Sequence, residues 1–213
     1  MSGENLIKEI ASRLSPKAQK LKIAVLTSGD GKSFQSLIDK ANKPKSLFSI
    51  SLMITNNKKS LAPKKALLAH IESFLISHLD YDKRENFEDE LLKHLKDRAD
   101  LIVLAGFLRV LSPRFLAHFP KKVINLHPSL LPKHPGLDAI NKALISGDEK
   151  SGCTVHLVDD GLDTGPIIAQ MDCPILKTDD TLALKTRIQA LEHKLLPQIV
   201  ESIAQEALKI NLN

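Results

Sequence analysis

Apolar residues along this chain follow two rhythms, short unbroken runs and stripes at helical spacing, and the two alternate. Leu6, Ile7, Ile10 and Leu14 recur at three- and four-residue intervals, predicting a short amphipathic helix that Pro16 ends. Residues 21–26 read as a buried strand. Thr27-Ser28-Gly29-Asp30-Gly31-Lys32-Ser33 then forms a glycine-rich turn into a helix with Phe34, Leu37, Ile38 and Ala41 on its inner stripe. Residues 48–54 predict a second strand, 63–70 a helix and 73–77 a third strand. Asp82 is placed to cap a helix with Arg84 and Glu85 in its first turn and Phe87, Leu91, Leu92 and Leu95 facing inward. Residues 101–105 are the most apolar run, predicting a central strand buried on both faces.

Another strand is expected from Val123. Residues 139–145 then predict a helix closed by Gly147, and 154–158 and 166–171 two strands in a hairpin-like excursion. A last helix starts at Thr181, with Leu182, Leu184, Ile188, Leu191 and Leu195 on its apolar side. Strands alternating with helices imply right-handed βαβ units. The expected fold class is α/β, one doubly wound, mostly parallel sheet with helices on both faces. Ligands of such sheets bind beyond the carboxyl ends of the strands, where the loops from Gly29, Gly106 and Asn125 all emerge.

One of those loops carries the densest chemistry. In Val123-Ile124-Asn125-Leu126-His127-Pro128 the strand alternation puts Asn125 and His127 on one face and Ile124 and Leu126 on the other. Pro128 has no N–H for the ladder and ends the strand, while Pro132 and Pro135 are expected to keep the following chain extended. An amide beside an imidazole suits a site that stabilises a developing negative charge. A second polar turn, Leu162-Asp163-Thr164-Gly165-Pro166, follows the apolar run from Thr154. Asp163 beside His127 would raise the imidazole pKa and favour the imidazolium. Read alone, a histidine at a strand end is a capped surface residue and an aspartate in such a turn is a turn former.

Composition narrows the function classes. The 213 residues are 43% hydrophobic and 26% charged, a globular composition long enough for one large domain. A formal charge of +5 favours anionic partners weakly, but 4% aromatics and no dense Lys/Arg block argue against nucleic acid as the partner. Cys153 and Cys173 fit neither zinc-ligand spacing nor a disulfide framework, and no metal site is expected. Residues 1–20 carry mixed charge without the apolar core of a signal peptide, and no run of about 18 apolar residues suggests a membrane span, so a cytoplasmic protein is expected.

The Gly29 loop ends in Gly-Lys-Ser, as a P-loop does, but Leu26 stands where that motif needs its first glycine. It also lacks the third glycine spacing of a dinucleotide loop. A phosphate-binding turn at a helix N-terminus, with Lys32 adding charge, and a purely structural turn both remain open.

Together, Ser28-Gly29-Asp30-Gly31, Leu104-Ala105-Gly106-Phe107-Leu108-Arg109, Asn125-Leu126-His127-Pro128-Ser129-Leu130-Leu131-Pro132, Leu162-Asp163-Thr164-Gly165-Pro166 and Arg187-Ile188-Gln189-Ala190-Leu191-Glu192-His193 resemble the folate-dependent formyltransferases, in the same order. The likeness covers residues 22–213 as a Rossmann-like formyltransferase domain and leaves 1–21 as an N-terminal extension. It implies transfer of a formyl group from 10-formyltetrahydrofolate, without a metal, to the amine of phosphoribosylglycinamide, a step of purine biosynthesis. It implies Asn125, His127 and Asp163 as the catalytic trio. By the same likeness Gly31, Lys32, Ser33, Phe34 and Gln35 hold the phosphate end, and Gln189 and Glu192 the ribose. Arg84, Leu108, Arg109, Val110, Leu111 and Asn125, with Asp159, Asp160, Gly161 and Leu162, lie along the folate.

Without the resemblance, Leu108, Val110 and Leu111 read as core, and Gln189 and Glu192 as a solvated helix face. Lys32-Ser33, Leu157 and Ile140 depart from the residues usual in these enzymes. The implied partners are small molecules, neither nucleic acid nor membrane, and the implied state is a monomer or homodimer. A formyltetrahydrofolate hydrolase, a methionyl-tRNA formyltransferase and a non-catalytic phosphometabolite binder are the competing readings. The first two carry an additional N-terminal or C-terminal domain, for which little sequence is left outside the likeness. The third gives no reason for Asn125, His127 and Asp163 together.

Overall fold

The computed structural model describes residues 2–14, 16 and 19–210. The chain runs α1 (Gly3–Ala11), β1 (Leu21–Thr27), α2 (Lys32–Ala41), β2 (Phe48–Thr55), α3 (Ala62–Leu68), β3 (Ser73–Leu75), α4 (Arg84–Leu95), β4 (Leu101–Ala105) and α5 (Pro113–Ala117). It continues through β5 (Val123–His127), α6 (Ala139–Ile145), β6 (Lys150–Leu157), β7 (Ile167–Pro174) and α7 (Thr181–Ile210). The strands form one seven-stranded sheet in the order β3-β2-β1-β4-β5-β6-β7. Pairing is parallel from β3 to β5 and antiparallel for β6 and β7. The doubly wound α/β architecture is therefore the one the alternation implies.

Residue alternation explains why helices cover both faces. Ile23 and Val25 of β1 pack into one core, and Ala24 and Leu26 into the other. In β4, at the middle of the sheet, Leu101 and Val103 join the first core, and Ile102 and Leu104 the second. The first core is closed by α1, α2 and α7, the second by Phe87, Leu91 and Leu95 of α4 and Phe115 of α5. Two-sided burial leaves these strands no polar face, so β4 is apolar throughout and only the exposed Lys22 interrupts β1 before Thr27.

Several boundaries differ from expectation. Lys83, not Asp82, holds the position before α4, and no side chain caps that helix there. The hairpin strands are longer than their apolar runs, because β6 starts at Lys150 and β7 ends at Pro174. Cross-strand bonding carries them past the positions where hydrophobicity stops. Leu182 is exposed instead of facing inward, while Leu184, Ile188 and Leu195 are buried. The chain after Pro128 turns instead of staying extended: the Leu131–Pro132 peptide is cis, and His134 and Asp138 have positive φ. In α1, Leu6, Ile10 and Ala11 are buried in the first core with Leu14, and a Cβ on Gly3 would lie 2.1 Å from the Ile168 carbonyl oxygen of β7. The N-terminal helix thus packs against the sheet's edge.

Candidate active site

The strand order reverses between β1 and β4. The chain leaves β1 toward β2 on one side and β4 toward β5 on the other, so the loops after β1 and β4 diverge and open a crevice. A cavity of about 740 Å³ fills it, lined by the loops after β1, β4 and β5, the 136–140 and 156–163 segments and one face of α7. Gly31 turns the first loop into α2 with φ +67°, and a Cβ there would meet the Ala62 Cβ at 2.9 Å, so glycine is required for both conformation and space. The first two loops are stitched together by Ser28, whose N–H donates to the Gly106 carbonyl and whose Oγ accepts from the Leu108 N–H at 2.8 Å.

Asn125, His127 and Asp163 meet at the cavity wall. Asn125 Nδ2 donates to Asp163 Oδ1 at 3.2 Å, and His127 Nδ1 lies 3.2 Å from Asp163 Oδ2. The Gly136 N–H donates to Asp163 Oδ2 at 2.8 Å. His127 Nε2 is 2.9 Å from the His134 carbonyl oxygen. A carbonyl only accepts, so Nε2 carries a proton and the neutral ring turns its Nδ1 lone pair toward the carboxylate. A proton taken up at Nδ1 converts that contact between two acceptors into a charge-assisted hydrogen bond. His156, paired opposite Asn125 in the ladder, completes the cluster. Its Nδ1 donates to the Leu157 carbonyl at 2.9 Å, and its Nε2 faces Asn125 Nδ2 at 3.1 Å and Asp163 Oδ1 at 3.5 Å.

Burial decides the charge states. Desolvation pushes the His127 pKa below its ordinary value and outweighs the upward pull of the His134 carbonyl and Asp163; His156 and Lys142 add to the lowering. The expectation of an imidazolium held charged by Asp163 is therefore corrected, because pairing alone does not offset loss of water around a ring only 5% exposed. Burial also works to raise Asp163. Bonds from His156 and the Gly136 N–H, with the charge of His127 and His156, outweigh it and hold the carboxyl at about 2. The free site at neutral pH is an imidazole beside a carboxylate, with an amide bridging toward it.

The other expected residues divide. Gly31, Lys32 and Ser33 line the cavity with Gln189 and Glu192 of α7, and Lys32 Nζ donates to Gln189 Oε1 at 3.1 Å. Phe34 is fully buried in the first core, so only its backbone is available to a ligand. Gln35 faces a separate cleft and bonds Asp39. Burial pushes Glu192 up to about 7, partly offset by the Ser33 hydroxyl and Lys185. Leu108, Arg109, Val110, Leu111, Asp159, Gly161 and Leu162 line the opposite end, whereas Asp160 is outside the lining. Leu111 belongs to the second core, while Leu108, Val110, Leu137 and Leu162 are at least half exposed around the mouth. Arg84 is also outside the lining; it donates to the Val110 carbonyl at 2.5 Å and to Glu88 at 3.0 Å, bracing the loop from behind. Among the described residues no group of three or more His, Cys, Asp and Glu side chains is placed to hold a metal, and no helix is long and apolar enough to cross a membrane.

A sequence profile of the formyl transferase family matches residues 21–200. The chain belongs to the formyl transferase family. It is 36% identical over 194 residues to phosphoribosylglycinamide formyltransferase of Escherichia coli K12, covering 91% of this chain and 92% of that protein. It is 44% identical over 191 residues to the trifunctional purine biosynthetic protein adenosine-3 of Drosophila pseudoobscura pseudoobscura, covering 88% of this chain. There it spans only 14% of the relative's length. The solved glycinamide ribonucleotide transformylase 1 of Symbiobacterium toebii superposes with a TM-score of 0.85 at 33% identity, covering 89% of this chain and 90% of that one.

Within this formyl transferase the sequence reading missed four contributors. His156 reads as part of an apolar strand, although its alternation with Val155 and Leu157 and its register opposite Asn125 bring it to the trio. The backbones of His134 and Gly136, which bond His127 and Asp163, carry no side-chain signal. Lys65 Nζ donates to the Gly31 carbonyl at 2.9 Å and reads as surface charge.

Proposed function

We propose that this formyl transferase moves the formyl group of 10-formyltetrahydrofolate to the amine of phosphoribosylglycinamide, the acceptor named for its full-length relatives. The observation that carries the reading is one cavity with three unlike parts. Gly31, Lys32 and Ser33 at the start of α2 offer backbone N–H groups and a cation to a phosphate, with Gln189 and Glu192 alongside for ribose hydroxyls. Leu108, Val110, Leu137 and Leu162 give the far end an apolar rim suited to a flat heterocycle. Asn125, His127 and Asp163 stand between the two.

Formyl transfer forms a bond from the amine nitrogen to the formyl carbon and breaks the carbon's bond to the folate nitrogen. One proton leaves the amine and one arrives on the folate. Neutral His127 presents a base at Nδ1, and Asp163, an anion at pH 7, stabilises the imidazolium that forms when the ring takes the amine's proton. His127 then returns that proton to the departing nitrogen. Asn125 exchanges its bond to Asp163 for the formyl oxygen as negative charge develops there. Under this reading the protein works in the cytoplasm on two small molecules, as a monomer or homodimer, without nucleic acid or membrane as a partner.

The test is to follow tetrahydrofolate release with and without the glycinamide. Release only when both substrates are present is expected. Equal release without the acceptor would make water the nucleophile and refute the assignment, and no release in either case would leave only a binder.

A further inference from the structure

The pair His127 and Asp163 is held by one short stretch of backbone. The His134 carbonyl accepts from His127 Nε2 at 2.9 Å, and two residues later the Gly136 N–H donates to Asp163 Oδ2 at 2.8 Å. His134 holds φ +54°, a conformation that a non-glycine residue keeps only where its surroundings impose it. Three anchors impose it here. Ser129 Oγ donates to the Lys133 carbonyl at 2.6 Å, Lys142 Nζ from α6 donates to the Pro135 carbonyl at 3.1 Å, and Asp148 takes the remaining side chains. Asp148 Oδ1 is 2.7 Å from Lys133 Nζ, and its Oδ2 is 2.6 Å from His134 Nε2. Asp148 lies between α6 and β6, and it does not line the catalytic cavity.

We propose that Asp148 is a positioning residue for formyl transfer: by clamping Lys133 and His134 it aims the His134 carbonyl at His127 and the Gly136 N–H at Asp163. The inference rests on the functional reading above for its kinetic consequence only. The His134 and Asp148 side chains are more than four-fifths buried, which shields their contact from solvent, whereas Lys133 is mostly exposed. Lys133 and His134 together hold the Asp148 carboxyl at about 2, so the anion persists across the working pH range. A dipeptide clamped this way sets two catalytic orientations at once, and a misplacement of about 1 Å far from the chemistry costs up to about 100-fold in rate.

Asp148→Asn keeps the shape and removes the charge. His134→Phe removes the bond but keeps the carboxylate, so it separates position from simple electrostatics. Each variant is assayed for kcat and both KM values. The His127 ring is titrated by ¹⁵N NMR on the full chain without substrates. In both variants kcat is expected to fall by about 10- to 100-fold with unchanged KM values. The His127 titration midpoint is expected to move down, because the His134 carbonyl bond that pulls it up is weakened. Asp163, His156 and Lys142, the other groups that set this midpoint, are intact in both variants.

Wild-type kcat and an unmoved midpoint in Asp148→Asn would overturn the proposal. So would a shift in Asp148→Asn that His134→Phe does not share, since that would be charge without positioning. Should Asp148→Asn not fold, His134→Phe decides alone. If the wild-type protein transfers no formyl group, the functional reading fails, and the ring titration still tests the clamp.

Discussion

Replacing Asp163 by Asn tests the core of the site, because the amide has nearly the same shape and cannot satisfy the same partners. Each carboxylate oxygen receives an N–H donor: Asn125 Nδ2 reaches Oδ1 at 3.2 Å and the Gly136 N–H reaches Oδ2 at 2.8 Å. Whichever way the new amide is turned, its NH₂ faces one of those donors. A buried donor left without an acceptor costs about 1–3 kcal/mol. The carboxyl's descent from 3.8 to about 2, which rests partly on that Gly136 bond, restates the same interaction as roughly 2 kcal/mol of stability once the carboxyl is ionised. The sign follows from a folded pKa below the unfolded one: this stability is complete above about pH 5, falls to roughly half near pH 3 and is lost as pH drops through 2.

Urea unfolding of both proteins at several pH values measures the gap directly, and steady-state kinetics give the functional cost. Asp163→Asn is expected to be ~2 kcal/mol less stable at pH 7, with the gap narrowing below pH 4. Its kcat should fall by about 100- to 1000-fold, as when a preorganised charge-stabilising group is removed. A gap independent of pH, or a kcat within a factor of about three of wild type, would refute the reasoning about this carboxylate.

Glu192, raised to about 7, should make KM for the phosphoribosyl substrate fall as pH rises through 7, because only the ionised carboxylate is a pure acceptor for ribose hydroxyls. Glu192→Gln should flatten that profile, and it should be more stable than wild type above pH 7, since a raised acid loses its stabilising contribution there; KM and urea unfolding against pH check both. A Cβ on Gly165 would lie 1.8 Å from the Leu157 carbonyl oxygen, so Gly165→Ala must shift the Asp163 turn; a loss of at least ~2 kcal/mol by thermal or urea unfolding and a lower kcat are expected. Lys32→Met removes the cation carried by the first residue of α2 and should raise KM for the phosphoribosyl substrate about tenfold at low salt, with the difference shrinking as salt is added.

The sheet is legible in the sequence because its strands obey simple rules. The two-sided burial of β4 makes residues 101–105 unbroken apolar, and period-two alternation puts Asn125 and His127 on one face before any coordinate is seen. The end of the strands at which the site forms follows from the order of elements. What the local pattern does not carry is contact across the fold. His156 reaches Asn125 across 31 residues and Asp163 reaches it across 38, while Asp148 acts on His127 only through a backbone carbonyl. The charge state of His127 was also beyond the sequence, since a carboxylate neighbour and burial act in opposite directions and only the fold shows how dry the ring is. Asp82 and Leu182 mark a smaller limit: helix ends and the flank of an apolar stripe depend on the partner each helix meets.

The most direct measurement of the central claim follows the formyl carbon itself. With 10-formyltetrahydrofolate carrying ¹³C in the formyl group, the label should appear as an amide carbon on phosphoribosylglycinamide, at a rate that Asp163→Asn lowers by orders of magnitude. Label recovered as free formate, with or without the acceptor present, would contradict the account.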